Sequence, residues 1–385
     1  MKQNDRVYEF LTIVVMTLLC YFTYWVMLSL AFERMIGSTT AVISLSVVGI
    51  SILAFFLSKT RVRSKFVRLW WAWIVWLLID FFVLGLRGEG MANIWFVTFA
   101  PMTFLFFYTA RSNSYSTTSI ATIGFLVLFG IAFYMNFSFL SFIRIDYGEE
   151  IGISNLVYWC LCAVPFFFLI RNKWLMYLFL VATVIVILLT GKRSANICLF
   201  LMLISFLLFF RKRGGSTKNI LFIIVGGTAL FFIINNYLSY AVEGVMDRMS
   251  NIEDSEGSGR IPLYKDVFKV IETNSIFDWL VGRGYGSISI TKHTNAHNDA
   301  LQMLFEYGLV GLVFYLFILW NAIKSTRVLY KYKSPFFMGY LVSLIIFVVL
   351  GMVSNLVVFN SYFAFICAYW GIAECEISQY KYLKR

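Results

Sequence analysis

The stretch that decides the fold is HNDALQMLFEYGLVGLVFYLFILWNA, residues 297–322. Three polar residues, His297, Asn298 and Asp299, lead into a run in which Glu306 is the only charge. About 20 such residues are enough to cross a bilayer core as a helix. Similar runs fill the rest of the chain: of 385 residues, 60% are hydrophobic and 14% charged, with mean hydropathy +0.80. This is the composition of an all-α polytopic membrane protein, and it leaves no length for a large soluble core.

Apolar runs of spanning size predict transmembrane helices near 8–32, 36–57, 66–86, 91–109, 118–142 and 152–170. Six more follow near 174–190, 194–210, 219–240, 299–322, 335–358 and 361–375, about 12 in all. The seventh and eighth are short and are separated only by Gly191, Lys192, Arg193 and Ser194. They could form one broken helix, although together they exceed a single crossing.

Basic residues test the orientation, because cytoplasmic loops retain Lys and Arg. With both termini inside, Lys59, Arg61, Arg63, Lys65 and Arg68 fall in the cytoplasm, as do Arg111, Arg171, Lys173, Arg211 to Arg213 and Lys218. So do Lys324 to Lys333 and the tail residues Lys381, Lys384 and Arg385. About 21 of the 32 basic residues then lie inside and about 11 outside. The net charge of +12 is therefore mostly a topology signal, and no nucleic-acid partner follows from it.

Three regions result: helices 1–9 over 1–240, an external loop over 241–298, and helices 10–12 with a cytoplasmic tail over 299–385. All six cysteines lie in apolar spans or at their ends, so no disulfide framework is expected in the loop. The first span is too long for a signal-peptide core and lacks a following small-residue cleavage site, so it is expected to remain as an anchor.

The loop alone has enough residues to build a site. Between about 241 and 296 it carries six basic and eight acidic residues, so an anion there needs particular arginines, not a general field. Glu253 to Gly259 reads as a turn region. From Pro262, the apolar positions Leu263, Val267, Val270 and Ile271 recur at helical spacing and predict a short amphipathic helix. Gly282, Gly284 and Gly286 then permit tight turns. Thr294, Asn295, Asn298 and Asp299 are candidate N-caps for the span beginning near 299, with Gln302 at capping-box spacing from Asp299. His297, one of two histidines in the chain, thus stands at the outer, positive end of a helix. That end disfavours imidazolium, so a neutral histidine there could act as a base.

Nine residues separate His297 and Asn298 from Gly308, Leu309, Val310 and Gly311. This pattern resembles the signature of the bacterial O-antigen ligase and O-antigen polymerase superfamily, in which a histidine followed by Asn, Ser or Gln precedes a glycine pair at this spacing. Leu301, Gln302, Leu304 and Glu306 match the residues that precede the family's first glycine. Thr190 to Ser194, and Gly259 with Arg260 and the helix after it, resemble the same family. The resemblance covers roughly 174–325. The chain departs from the family at Lys192, where Ser is usual, and at Arg283, where a small residue is common.

The resemblance implies transfer of a glycan from undecaprenyl diphosphate to an acceptor hydroxyl in surface polysaccharide biosynthesis, at the external face of the bacterial inner membrane. Such a reaction needs a base, cations for the diphosphate and a groove for the lipid. His297 is the implied base, and Arg193 and Arg260 are the implied diphosphate clamps, since guanidinium bonds phosphate oxygens bidentately. Lys192 and Arg283 are further diphosphate candidates by position. His293, Asn298 and Tyr285 are weaker substrate contacts. Expected partners are the lipid-linked donor, a glycan or lipid A core acceptor, membrane lipids and other polysaccharide-assembly proteins.

Each candidate has a plainer role open to it. His297 could only cap or hydrogen-bond at the interface, Arg193 could snorkel to it, and Arg260 could be a solvated loop arginine. Gly308 and Gly311 suit close helix packing. Asp80 is an intramembrane acid that Arg87 could satisfy. His293 and His297 lie four apart, but no external cysteine or nearby carboxylate completes a ligand set, so neither metal nor cofactor is expected. Metal-dependent membrane glycosyltransferases place acids in the first external loop, where this chain has only Glu33 beside Arg34. The expected enzyme is a metal-independent, inverting polymerase, with a lipid A core ligase as the alternative. A transporter or lipid-linked oligosaccharide flippase is the rival from another class, and it should spread ionisable groups through the membrane. A scaffold should tolerate loss of His297.

Overall fold

The computed structural model describes residues 2–32, 37–58, 64–84, 93–146, 155–212, 260–288, 295–357 and 360–382. Helix is the only regular secondary structure among the described residues, with no strand among them. Helices α1 (Lys2–Phe32), α2 (Gly37–Leu57), α3 (Lys65–Leu84), α4 (Asn93–Asn113) and α5 (Thr117–Asp146) form the first half. They are followed by α6 (Val157–Phe167), α7 (Lys173–Leu189) and α8 (Arg193–Lys212). The C-terminal part holds α9 (Arg260–Glu272), α10 (Ile276–Val281), α11 (Asp299–Lys331), α12 (Phe337–Val353) and α13 (Asn360–Tyr382). The ninth expected span, 219–240, lies outside the described residues, as does the loop from 241 to 259.

The centre is the pair α4 and α13. From Ser361 to Cys375 every side chain of α13 is buried, as suits a helix that is apolar on all sides. Gly371 lets it approach the Phe104 carbonyl of α4, where a Cβ would collide. Its polar atoms find partners inside. The Trp370 indole donates to Ser343 Oγ at 2.7 Å, and the Tyr369 hydroxyl donates to the Phe336 carbonyl at 2.9 Å. On the outer helices large apolar side chains face outward, with Phe56 79% and Trp174 72% exposed. A surface of that kind is covered by lipid.

Four described helices are long and apolar enough to cross a membrane: Asp5–Ser29, Thr39–Leu57, Thr117–Phe139 and Asp299–Lys331. α6 is shorter than the expected 152–170. Its helix stops at Phe167, two residues after Pro165, and 11 residues rise only about 17 Å. α7 and α8 are separate helices, divided at Gly191 with φ +57°. α11 continues past 322 to Lys331 because exposed Lys324, Arg327 and Lys331 carry the same helix out of the apolar layer.

A buried carboxylate fastens the end of the bundle opposite His297. Glu374 of α13 accepts from Ser64 Oγ at 2.7 Å, just before α3, and from Ser325 Oγ of α11. Glu374→Ala strips both hydroxyls of their acceptor and should cost about 1–3 kcal/mol. Thermal unfolding of the purified protein should show a drop of several degrees, with Glu374→Gln falling less because it keeps an acceptor. Equal midpoints for wild type and alanine variant would remove this tie from the fold.

Candidate active site

Three pieces of backbone meet at the start of α11. The first is the glycine turn after α10, where Gly282, Gly284 and Gly286 have φ of +84°, +88° and +75°. The second is a break inside α11 at Gly308, with φ +62° and ψ −161°. The break takes the carbonyls of Phe305 and Glu306 out of the helical ladder, and the turn fills them. Arg283 N–H donates to Phe305 O at 3.1 Å, and Gly284 N–H donates to Glu306 O at 2.8 Å. A Cβ on Gly282 would strike the Glu306 carbonyl, and one on Gly308 would strike Leu280. The glycines therefore serve close backbone packing.

The third piece is the histidine segment. His297 has φ +52°, in the left-handed region that few non-glycine residues adopt. Its neighbours hold it there. The Ala296 N–H donates to Gln302 Oε1 at 3.2 Å, and the His297 carbonyl accepts from the Tyr264 hydroxyl of α9 at 3.3 Å. Asn298 is the N-cap, its Oδ1 accepting from Leu301 N–H at 3.0 Å, while its amide donates to the Met352 carbonyl at 3.3 Å. The expected Asp299–Gln302 capping box does not form. Gln302 instead reaches back to Asn295 and Ala296, and its amide donates to Glu306 Oε1 at 2.9 Å.

α9 packs on this segment as its apolar spacing requires. Val267 and Ile271 are buried with Ile288, Ala296, Leu301 and Phe305 in a small core separate from that of the bundle. α10 buries no side chain, leaving Ile276, Phe277, Trp279 and Leu280 exposed beside the site.

Asp299 carries the site across to the end of α12. Fully buried, its carboxylate accepts from Leu356 N–H at 3.0 Å and Val357 N–H at 3.0 Å. In the same loop the Asn355 carbonyl accepts from the Tyr362 hydroxyl. The Tyr362 ring lies 5.6 Å from that of Tyr158, whose hydroxyl is 2.5 Å from Ser194 Oγ. Lys192 Nζ stands 5.8 Å over the Tyr158 ring. A continuous chain of contacts thus links the 190–194 turn to the segment that bears His297.

All but one of the expected site residues fall among the described residues. Arg193 is half-buried at the first position of α8, and Ser194 is buried behind it. Arg260 opens α9. His293 lies outside the described residues. Tyr285 is half-buried at a small cavity between α3, α4 and α11, lined also by Trp73, Pro101, Met303 and Tyr307. Arg283 is spent on the α9 end: its Nε donates to Asn274 Oδ1 at 2.7 Å, and the guanidinium lies over the Phe305 ring at 5.5 Å.

Asp299, Gln302 and Tyr264 emerge as supporting residues that sequence reasoning gave other roles or none. A signal was present. Asp299, Gln302 and Glu306 follow at intervals of three and four on an otherwise apolar helix, a polar stripe that must face protein.

Residues 177–316 match the family model described as O-antigen ligase. This segment belongs to the O-antigen ligase and polymerase superfamily. The match contains α8, α9, α10, the glycine turn, His297 and the break at Gly308. Its limits lie close to the 174–325 expected from the residues, and helices α1 to α6 fall outside it. No curated protein matches the chain. The apolar helices and the family match together indicate a multi-pass membrane protein.

Proposed function

We propose that the chain is a polymerase of lipid-linked repeat units, moving a glycan from undecaprenyl diphosphate to a hydroxyl of another repeat. The observation that carries this reading is His297, locked in a left-handed conformation before the α11 N-cap within the O-antigen ligase segment. A helix N-terminus keeps imidazole neutral and able to accept a proton. One imidazole nitrogen takes the acceptor hydroxyl proton while the oxygen attacks the anomeric carbon. The bond from that carbon to the phosphate oxygen breaks, the configuration inverts, and undecaprenyl diphosphate leaves with the electron pair.

Arg193 and Lys192 at the start of α8, with Arg260 at the start of α9, are the cations for the leaving diphosphate. A helix N-terminus adds N–H groups for the same charge. Arg283 is committed to the α9 end, so we assign it to holding the turn. Asn298 fixes the histidine, and Tyr285 and His293 are candidate glycan contacts. No metal is needed, since diphosphate is already a good leaving group.

The same reading gives about 12 crossings, both termini in the cytoplasm, and the 241–298 loop outside the inner membrane. The exposed apolar residues of α10 suit the outer interface. Ligation to a lipid A core has the same donor chemistry and is the second product to seek.

Purified protein is incubated with a defined undecaprenyl-diphosphate oligosaccharide, with and without core lipid and with and without chelator. A ladder of lengths that survives chelator is expected. A single shift on the core lipid would make the protein a ligase, loss with chelator would overturn the metal-free step, and no transfer with vesicle translocation would make it a flippase.

A further inference from the structure

α3 and α11 run antiparallel against one another. The Trp73 ring lies 5.4 Å from Tyr307 and 5.2 Å from Phe314. The same register sets Asp80 within electrostatic reach of Tyr307 near the site and brings residues 65–69 beside 317–324 at the other end. That far end holds an open groove of about 490 Å³. Lys65, Arg68 and Lys324 stand around its mouth, and Leu69, Phe317 and Trp320 form its wall.

All three cations are exposed, and the ion pairs among the described residues, Arg111–Glu376 and Lys269–Asp266, involve none of them. Phe317 and Trp320 are about half exposed, and Lys324 Nζ lies 4.8 Å from the Trp320 ring centre. The carboxylate beside this end, Glu374, is buried and accepts from Ser64 and Ser325. Positive charge is thus concentrated where an apolar wall meets water.

We propose that this groove binds one anionic phospholipid, its phosphate among Lys65, Arg68 and Lys324 and an acyl chain along Leu69, Phe317 and Trp320. A soluble anion would have no use for the aromatic wall, and a zwitterionic lipid would leave the three cations poorly matched. Basic pockets between transmembrane helices bind anionic headgroups by this combination of charge and apolar contact, and a tryptophan at the rim suits the headgroup level. From the break at Gly308 to Lys324 α11 rises about 24 Å, so the groove lies at the end of α11 away from the His297 segment. Its assignment to the cytoplasmic leaflet rests on the orientation proposed above. Lipid binding itself does not.

The test is native mass spectrometry of the full chain after exchange into detergent with equal phosphatidylglycerol and phosphatidylcholine, no glycan donor present. One phosphatidylglycerol should be retained with about tenfold preference, and the Lys65→Gln/Arg68→Gln/Lys324→Gln variant should lose it. Millimolar inorganic phosphate should leave the adduct in place. Equal retention of both lipids, an unchanged preference in the triple variant, or displacement by phosphate would overturn the site. Where the triple variant is not recovered, Lys324→Gln alone decides, with a fall of about threefold expected and no fall counting against the site. Because retention is read without donor, failure of glycan transfer leaves this result standing.

Discussion

Replacing His297 with asparagine should lower glycan transfer by roughly 10²- to 10⁴-fold, the span usual for loss of a general base. Asparagine is the informative choice because the backbone at 297 is left-handed, with φ +52°, and asparagine tolerates that region better than most residues. It keeps the chain path, and so the carbonyl that accepts from Tyr264 and the cap at Asn298. Alanine removes the same imidazole but lacks asparagine's tolerance of the left-handed region. The two variants therefore separate chemistry from conformation. If the base is what matters, both lose kcat to a similar extent while lipid-linked donor still binds. If His297 serves only to shape the loop, the alanine variant fails and the asparagine variant works, and the catalytic assignment falls. Both should insert and purify as wild type, since the side chain is only half-buried.

Much of this arrangement could be read in the residues, and the parts that could not have a common cause. Hydrophobic runs marked the helices because lipid imposes one requirement on every spanning segment, namely internal satisfaction of its backbone. The amphipathic helix after Pro262 followed from local spacing, and α9 does bury Val267 and Ile271. The short α6 was misjudged because apolar residues on both sides of Pro165 hid where the helix stops. The capping of α11 was half legible. Asn298 was among the candidates, but Asp299 and Gln302 turned out to bind backbone and side chains 57 residues and four to seven residues away. A carboxylate next to a helix start looks the same in sequence whether it caps that helix or crosses to another. Arg283 posed a similar difficulty: an arginine between glycines reads as an anion ligand, and only the end of α9 shows what it holds.

The contacts between the 190–194 turn and the histidine segment were invisible for a further reason. They run through Tyr158, Tyr362 and the 355–357 backbone, residues that read only as apolar filling. Their hydroxyls must find partners when buried, and those partners sit at the start of α8 and in the loop after α12. Aromatic side chains with one polar atom thereby connect two loops whose sequences are distant, so the placement of Arg193 relative to His297 depends on tertiary packing alone.

Gly308→Ala should be the most damaging of the small substitutions, and it tests whether the joint behind the histidine must be rigid. Its φ of +62° alone costs an alanine about 1–2 kcal/mol. The new Cβ would also lie 2.5 Å from the Leu280 carbonyl carbon and 2.6 Å from Gly282 N. Neither is the end of a flexible side chain, so the strand of backbone from 280 to 284 has to move. That movement breaks the bonds from Arg283 and Gly284 to the Phe305 and Glu306 carbonyls, each worth about 0.5–1.5 kcal/mol. Transfer should fall more than tenfold and the thermal midpoint by several degrees, with faster amide exchange at 282–286. Gly130→Ala is the matched control: its Cβ meets nothing within 4 Å, and a helical glycine exchanged for alanine gains about 0.5–1 kcal/mol. The two changes add the same methyl group in helices of one bundle and should move stability in opposite directions. Should Gly308→Ala behave like Gly130→Ala in activity and midpoint, the break in α11 would be incidental, and His297 would have to be positioned by Tyr264, Gln302 and Asn298 without help from the glycine turn.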